Sequence, residues 1–257
     1  MGLQLNSIIF PNTNAPKLLI IHGLMGCARN WSIVGKALSK SFEVHLLDIR
    51  NHGESPWDDS MDWGDLSGDI NAYRLTHQIE QPISLIGHSL GGKIAMHYAA
   101  HNVELVSKLV VVDIAPKKYE PHYKKEFKAL LKMPLDIVKT RGDAMEWLRK
   151  DIPDISLRES LLVNLKRLDG RYAWQPNIKA LYESLECIRD TPIVKNETIS
   201  SEALLIYGGA SDFVLENDIP RIKEYMADLE IIKMEQSGHN PHVDNKDSLI
   251  SILLGWL

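Results

Sequence analysis

The chain has 257 residues, of which 44% are hydrophobic and 25% charged, a composition that allows a buried core without metals or disulfides. The net charge of −5 argues against a nucleic-acid-binding protein. Two cysteines, Cys27 and Cys187, are too few for a disulfide framework, and no apolar run is long enough to predict a membrane span. The segment from Met1 to Phe10 lacks the pattern of a signal peptide, so we expect a reducing, cytoplasmic setting.

Apolar runs alternate with segments of helical spacing along the first part of the chain. The pattern predicts strands at 3–10, 17–21, 43–47, 83–86 and 108–112 and helices at 29–40, 63–73 and 90–100. This alternation is typical of an α/β fold with a mostly parallel sheet and helices on both faces. The carboxyl ends of such strands meet at one edge, where we expect the active site.

The pattern changes between 117 and 198, where amphipathic segments are separated by prolines and a glycine and no strong strand is evident. We therefore predict that 117–198 is a helical cap insertion packed over the strand ends. The core is then formed by 1–116 and 199–257. Its second part contains predicted strands at 202–207 and 230–234 and predicted helices at 216–228 and 247–256.

The strongest motif follows the strand at 83–86. It reads Gly87-His88-Ser89-Leu90-Gly91 and stands between a predicted strand and a predicted helix, the setting of a nucleophile elbow. Glycine is needed on both sides of the serine, because the turn is tight and side chains at 87 and 91 would meet the neighbouring strand and helix. We predict that Ser89 is a catalytic nucleophile at the start of a helix, where N–H groups stabilise a developing anion.

Two backbone groups are candidates for an oxyanion hole. Gly23 directly follows the buried strand at 17–21, so the backbone can turn there and present the Leu24 N–H group outward. The Leu90 N–H group, next to the predicted nucleophile, is the second candidate donor. We interpret His22 as a structural histidine.

A serine hydroxyl needs a base, and the base needs a carboxylate that fixes its tautomer. We predict His239 as the base, since it lies in a short loop after the last strand. Asp113 and Asp212 both follow strands and both satisfy the chain order Ser, Asp, His. We favour Asp113 and keep Asp212 as the alternative acid, and Ser211 is a possible fourth member of the hydrogen-bond network.

The spacing His239-x-x-His242 also raises the possibility of a metal pair. Pro241 between the two histidines and the lack of a third candidate ligand argue against it. We therefore predict no metal and no organic cofactor. The oligomeric state is not predicted.

Several motifs together resemble the α/β-hydrolase superfamily over nearly the whole chain. They are His22-Gly23-Leu24, Asp48-x-Arg50-x-His52-Gly53-x-Ser55, the run from Gly87 to Gly92, and Ser237-Gly238-His239. From its residues alone, the motif at 48–55 is interpreted as a polar loop held by side-chain hydrogen bonds. The acid position at Asp113, with serine at 211, is most similar to the small bacterial esterases of the YbfF type. That resemblance implies a carboxylesterase that acts on small-molecule acyl esters, with thioesters as further substrates.

Other functions use the same kind of triad. Carbon–carbon bond hydrolases and lyases stay open as alternatives, and a ligand receptor that does not turn over is a third. The resemblance to the YbfF-type esterases implies a serine carboxylesterase for short- to medium-chain acyl esters, and Ser89, His239 and an aspartate are present in the order that a triad requires.

Overall fold

The computed structural model describes residues 2–194 and 196–257. Met1 and Lys195, which fall within the predicted core and cap boundaries, lie outside the described residues. The strands are β1 Ser7–Phe10, β2 Lys17–Ile21, β3 Glu43–Leu47, β4 Ile83–His88, β5 Val106–Val112, β6 Leu165–Leu168, β7 Arg171–Trp174, β8 Glu202–Gly208 and β9 Leu229–Met234. The helices are α1 Ser32–Leu38, α2 Trp63–Thr76, α3 Leu90–His101, α4 Lys124–Lys132, α5 Arg141–Leu148, α6 Ile155–Leu162, α7 Ile178–Glu183, α8 Leu185–Ile188, α9 Ile219–Tyr225, α10 Pro241–Asp244 and α11 Lys246–Trp256.

The main sheet has seven strands in the order β1-β3-β2-β4-β5-β8-β9. The pairs from β3 to β9 are parallel, and β1 pairs antiparallel with β3 at the edge. The prediction of a mostly parallel sheet is therefore confirmed. Because β2, β4, β5 and β8 are neighbours in this order, the residues that follow or end them meet at one edge of the sheet.

Both faces of the sheet are buried, which explains the continuous apolar runs of its central strands. On one face Leu19 packs in a cluster with Tyr73 of α2 and with residues of α3. On the other face Leu18 packs with Trp31 and with Leu253 of α11. A fully buried side chain of this size stabilises the fold by about 1.5–3 kcal/mol, so the two clusters hold the sheet rigidly under the site.

The first strand begins later than the sequence predicts. Residues before Ser7 pair with side chains instead of with β3, since Leu3 N donates to Asp69 Oδ1 at 2.6 Å and Asn6 N donates to Ser55 Oγ at 2.8 Å. The predicted strand at 3–10 is therefore wrong at its amino end. The sequence pattern could not show this, because the partners Asp69 and Ser55 lie in segments distant along the chain.

Between β5 and β8 the chain forms five helices, α4 to α8, and a hairpin of β6 and β7 within the described residues. The expectation of a purely helical segment is wrong at this hairpin. Leucines at helical spacing suggested a helix, but the turn between the strands is Asp169-Gly170, with φ of 48° and 82°. An Asp-Gly pair with both residues at positive φ is the commonest two-residue hairpin turn. No described helix combines the length and apolar character that crossing a membrane requires.

Candidate active site

Ser89 lies in the turn between β4 and α3, with φ 52° and ψ −120°. This strained conformation is held by close backbone packing on both sides. A Cβ atom on Gly87 would lie 2.2 Å from the Gly91 carbonyl oxygen, and one on Gly91 would lie 2.4 Å from the Ile21 carbonyl oxygen. Both positions therefore require glycine, as the sequence predicts, and the turn presents the Ser89 side chain at the carboxyl edge of the sheet.

The structure brings Ser89, His239 and Asp113 into one hydrogen-bonded line. His239 Nε2 lies 3.0 Å from Ser89 Oγ, and His239 Nδ1 lies 2.7 Å from Asp113 Oδ2. In this arrangement Nδ1–H donates to the carboxylate and Nε2 accepts the serine proton. Asp113 is fully buried, whereas the His239 side chain keeps 22% of its surface exposed. The geometry is that of a nucleophile, a base and an orienting acid, roles that stay predictions.

Asp113 has further partners that fix its carboxylate. Oδ1 accepts from Gly208 N at 2.8 Å, and Oδ2 also accepts a short hydrogen bond from Ser211 Oγ. Asp113 itself has φ 51°, which turns its side chain toward the histidine loop. Asp212 is exposed and lies outside this network. Asp113 and Ser211 thus belong to the hydrogen-bond network of His239, and the alternative acid Asp212 does not.

The loop after β2 approaches the elbow closely. A Cβ atom on Gly23 would lie 3.0 Å from Ser89 Cβ, so the absence of a side chain there lets the backbone pass beside Ser89. Neither Leu24 N–H nor Leu90 N–H donates to another group in residues 2–194 and 196–257. Both donors are thus available, which is what an oxyanion hole needs, although their role stays a prediction.

The motif at 48–55 holds this loop, and its interpretation as a hydrogen-bonded polar loop is confirmed. His52 Nε2 accepts from Met25 N at 3.1 Å, while His52 Nδ1 donates to Arg50 O at 2.9 Å. Burial lowers the pKa of His52 to about 3, so its ring stays neutral and can accept. Asp48 Oδ1 accepts from Ala28 N at 2.7 Å on the far side of the same loop.

His22 is also structural, as expected. Its Nε2 accepts from Ile49 N at 3.2 Å, and its Nδ1 lies 2.8 Å from Gly23 O. These two bonds tie the strand end to the segment after β3. The positions of Gly23 and Leu24 are therefore fixed by buried imidazoles on both sides of the loop.

Two residues that the sequence analysis did not assign hold the His239 ring and its loop. His88 Nε2 donates to the His239 carbonyl at 2.7 Å, and the Phe213 ring stacks on the His239 ring with centroids 3.6 Å apart. Burial lowers the pKa of His88 well below its ordinary value, which keeps it neutral. The only sequence signal for His88 was its position within the Gly87–Gly91 motif.

Polar side chains link the segment between β5 and β8 to the core beside the site. Asn164 Nδ2 donates to the Met25 carbonyl at 2.8 Å, which links the end of α6 to the loop after β2. Lys93 of α3 is buried and its Nζ donates to Arg189 O at 2.8 Å and Asp190 O at 2.7 Å, and also to Lys117 O at 3.1 Å. Lys93 therefore fastens both ends of the segment to the helix that begins at the elbow.

Two cavities meet at Ser89. The first, the inner cavity, has a volume of 80 Å³ and is lined by Ser89 and mostly apolar side chains that include Ile114, Tyr119, Ile188 and Phe213. The second, the cleft, has a volume of 170 Å³ and extends from Ser89 and His239 to α4 and α6. Within the described residues no group of three His, Cys, Asp or Glu side chains is arranged to hold a metal ion.

Residues 16–145 match the sequence profile described as the alpha/beta hydrolase fold. This chain belongs to the α/β-hydrolase family. Among its relatives, the sn-1-specific diacylglycerol lipase ABHD11 of Danio rerio is 32% identical over 93% of this chain and 78% of its own length.

Further relatives of this α/β hydrolase have similar names. Esterase YbfF of Escherichia coli K12 is 27% identical over 96% of this chain and 94% of its own length. A solved structure titled "Marine microorganism esterase" superposes with a TM-score of 0.94 at 32% identity and covers 100% of both chains. The chain is thus a hydrolase of the esterase and lipase type, and its resemblance to the YbfF esterases is confirmed.

Proposed function

We propose that this protein is a serine carboxylesterase that hydrolyses short- to medium-chain acyl esters through an acyl-enzyme. The observation that carries the proposal is the hydrogen-bonded line of Ser89, His239 and Asp113 on a strained elbow. The esterase and lipase names of the relatives support an ester bond as the point of attack.

The reaction runs in two halves. His239 Nε2 accepts the Ser89 proton as Oγ attacks the ester carbonyl, and Asp113 stabilises the imidazolium that forms. The Leu24 and Leu90 N–H groups bind the oxyanion, a contribution of about 3–4 kcal/mol per donor. His239 then gives its proton to the leaving alcohol, and a water activated by His239 releases the acid from Ser89.

A difference between the two cavities at Ser89 supports a placement for each of the two parts of the ester. His239 lines the cleft but not the inner cavity. Since the leaving alcohol must receive a proton from His239, the alcohol lies in the cleft and the acyl chain in the apolar inner cavity. The 80 Å³ volume of that cavity favours short over long acyl chains.

The segment 117–198 acts as a cap in this proposal. Its residues Tyr119, Leu185 and Ile188 line the inner cavity, and Phe127 and Leu157 line the cleft. Selectivity for the acyl chain and the alcohol therefore depends on this segment, whereas the reacting groups come from the core.

The test is hydrolysis of p-nitrophenyl esters from acetate to palmitate by wild type, Ser89→Ala and the surface control Ser251→Ala. Turnover of short and medium esters that disappears only in Ser89→Ala is expected. If no ester is hydrolysed although a fluorophosphonate still labels Ser89, the nucleophile is intact and the esterase proposal is wrong. A carbon–carbon hydrolase, a lyase or a receptor would then be indicated.

A further inference from the structure

Tyr123 directly precedes α4 and lines both cavities at Ser89. Among the described residues only Leu24, Ser89 and Tyr123 line the inner cavity as well as the cleft. In the proposed reaction the first two each have a partner in the ester, since Ser89 Oγ attacks the carbonyl carbon and Leu24 N–H binds the carbonyl oxygen. The remaining atom of the ester group is the alkyl oxygen, which joins the acyl part to the alcohol part. Tyr123 is the residue that remains for this oxygen.

The Tyr123 hydroxyl is accessible and has a proton to donate. It makes no hydrogen bond in the part of the chain that the structure describes, and the side chain is half-buried. The buried side-chain atoms that lack a partner in this part of the chain belong to Trp31, Ser237 and His242. The Tyr123 oxygen is not one of these buried atoms, so a bound molecule can reach it.

The surroundings keep the Tyr123 hydroxyl protonated. Burial raises the pKa of Tyr123 above its ordinary value, and the negative charges of Glu126 and Asp212 raise it further. Neither of these carboxylates accepts a hydrogen bond from the hydroxyl. Near pH 7 the group is therefore a neutral phenol whose proton is available to a substrate.

The backbone of Tyr123 is strained. Its φ of 66° and ψ of 1° lie in the left-handed region, where a bulky side chain is an outlier. The Tyr123 ring lies 6.3 Å from the His122 ring, which lies 6.2 Å from the Phe213 ring that stacks on His239. Strained conformations of this kind cluster at active sites and ligand contacts. The strain at this cavity wall therefore points to a role for the side chain in the site.

We propose that the Tyr123 hydroxyl donates a hydrogen bond to the alkyl oxygen of the bound ester and thereby selects oxygen esters over thioesters. This oxygen gains negative charge as its bond to the acyl carbon breaks, so the hydrogen bond strengthens in the transition state. His239 still supplies the proton to the leaving alcohol, and Tyr123 keeps its own. A thioester sulfur is a weak acceptor and gains little from the hydroxyl. The inference rests on the proposed esterase function and adds a specificity-determining residue from the segment 117–198.

The experiment compares kcat/KM for phenyl butyrate and S-phenyl thiobutyrate, which differ in one atom and form the same butyryl-enzyme. Wild type is expected to favour the oxygen ester. Tyr123→Phe removes only the hydroxyl and is expected to lower kcat/KM for the oxygen ester about 10-fold, the effect of one hydrogen bond to an oxygen that gains charge. The value for the thioester is expected to change less than about 3-fold.

Tyr172→Phe is the matched control. Tyr172 of β7 is also half-buried, its hydroxyl has no hydrogen-bond partner among the described residues, and it lines neither cavity. Both rates are expected to stay at the wild-type level. A second variant, Tyr123→Asn, covers the case in which Tyr123→Phe does not fold, because asparagine adopts positive φ more readily than an aromatic residue. It is expected to lower the ratio of the two kcat/KM values as Tyr123→Phe does.

The two substrates separate a chemical role of Tyr123 from a structural one. Equal losses on both would mean that Tyr123 only shapes the site, and unchanged rates on both would mean that its hydroxyl does not act on the ester. Either result, or a wild-type preference for the thioester, overturns the inference and leaves the esterase function intact. Hydrolysis of p-nitrophenyl esters without hydrolysis of phenyl butyrate would do the same. Hydrolysis of no ester at all would overturn both proposals.

Discussion

The carboxyl edge of the main sheet, here called the core edge, and the segment 117–198 position their site residues by different means. At the core edge the backbone does so, since Ser89 and Asp113 sit in turns at positive φ directly after buried parallel strands. The segment 117–198 is joined to the core by apolar packing and by side-chain hydrogen bonds such as Asn164 to Met25 and Lys93 to Arg189. The positions of Ser89 and Asp113 are therefore set by the backbone, whereas the shape of the cavities depends on side-chain contacts.

The largest expected effect tests the core edge. Asp113→Asn is expected to lower kcat/KM for p-nitrophenyl butyrate by about 10³–10⁴-fold, because the amide no longer fixes the tautomer of His239. Asp212→Asn serves as the matched control, since this carboxylate is exposed and outside the hydrogen-bonded line, and a change below about 3-fold is expected. The reverse ranking of the two variants would make Asp212 the acid.

The next prediction concerns the stability that His52 gives to the loop after β2. Burial lowers the pKa of His52 in the folded state to about 3, from 6.5 in the unfolded state. The unfolded state therefore binds more protons between these two pH values. The free energy of unfolding is therefore highest above about pH 6.5 and falls with acidification toward pH 3, by at most about 1.4 kcal/mol per pH unit from this residue. Urea unfolding at pH 7, 6, 5 and 4 measures the slope.

The contribution of His52 is isolated by His52→Gln, which can still accept from Met25 N but does not titrate. The slope of stability against pH is expected to be shallower in this variant than in wild type. Identical slopes would mean that the other buried histidines account for the acid sensitivity.

The smallest effect tests the segment 117–198. Asn164→Ala removes the hydrogen bond to the Met25 carbonyl, and we expect kcat for p-nitrophenyl butyrate to fall about 10-fold, the effect of one lost hydrogen bond at an acceptor that is left without its partner. Asn102→Ala is the control, because its Nδ2 donates to Tyr98 O at the far end of α3. Equal rates in Asn164→Ala and wild type would show that this contact does not support the loop.

Where local rules decide the structure, it can be predicted from the sequence. Runs such as Leu18 to Ile21 are buried on both faces and therefore read as parallel strands, and Gly87 is required by contact with the Gly91 carbonyl a few residues along the chain. The chain order Ser, Asp, His indicated Ser89, His239 and two candidate acids, but it did not distinguish Asp113 from Asp212. The hydrogen bond between His239 Nδ1 and Asp113 Oδ2 depends on a single step in a turn and is visible only in the structure.

Features that depend on contacts between distant residues could not be predicted from the sequence. The hairpin of β6 and β7 was missed because leucines at helical spacing outweighed the Asp169-Gly170 turn signal. The stacking of Trp31 on His242 joins positions near opposite ends of the chain, so no local pattern reports it. The cavities share this property, since their walls combine loops that follow strands of the main sheet with helices of the segment 117–198.

The hydrogen bond from Asn164 to Met25 has a consequence for how selectivity is expressed in kinetics. It ties a helix that lines the cleft to the loop that presents the Leu24 N–H group. With Leu24 N–H as the proposed oxyanion donor, a poorly fitting alcohol that displaces α6 also displaces this donor, so the penalty is expected in the transition state rather than in ground-state binding. Discrimination among alcohols is then expected in the turnover number, with Michaelis constants that change little across a substrate series.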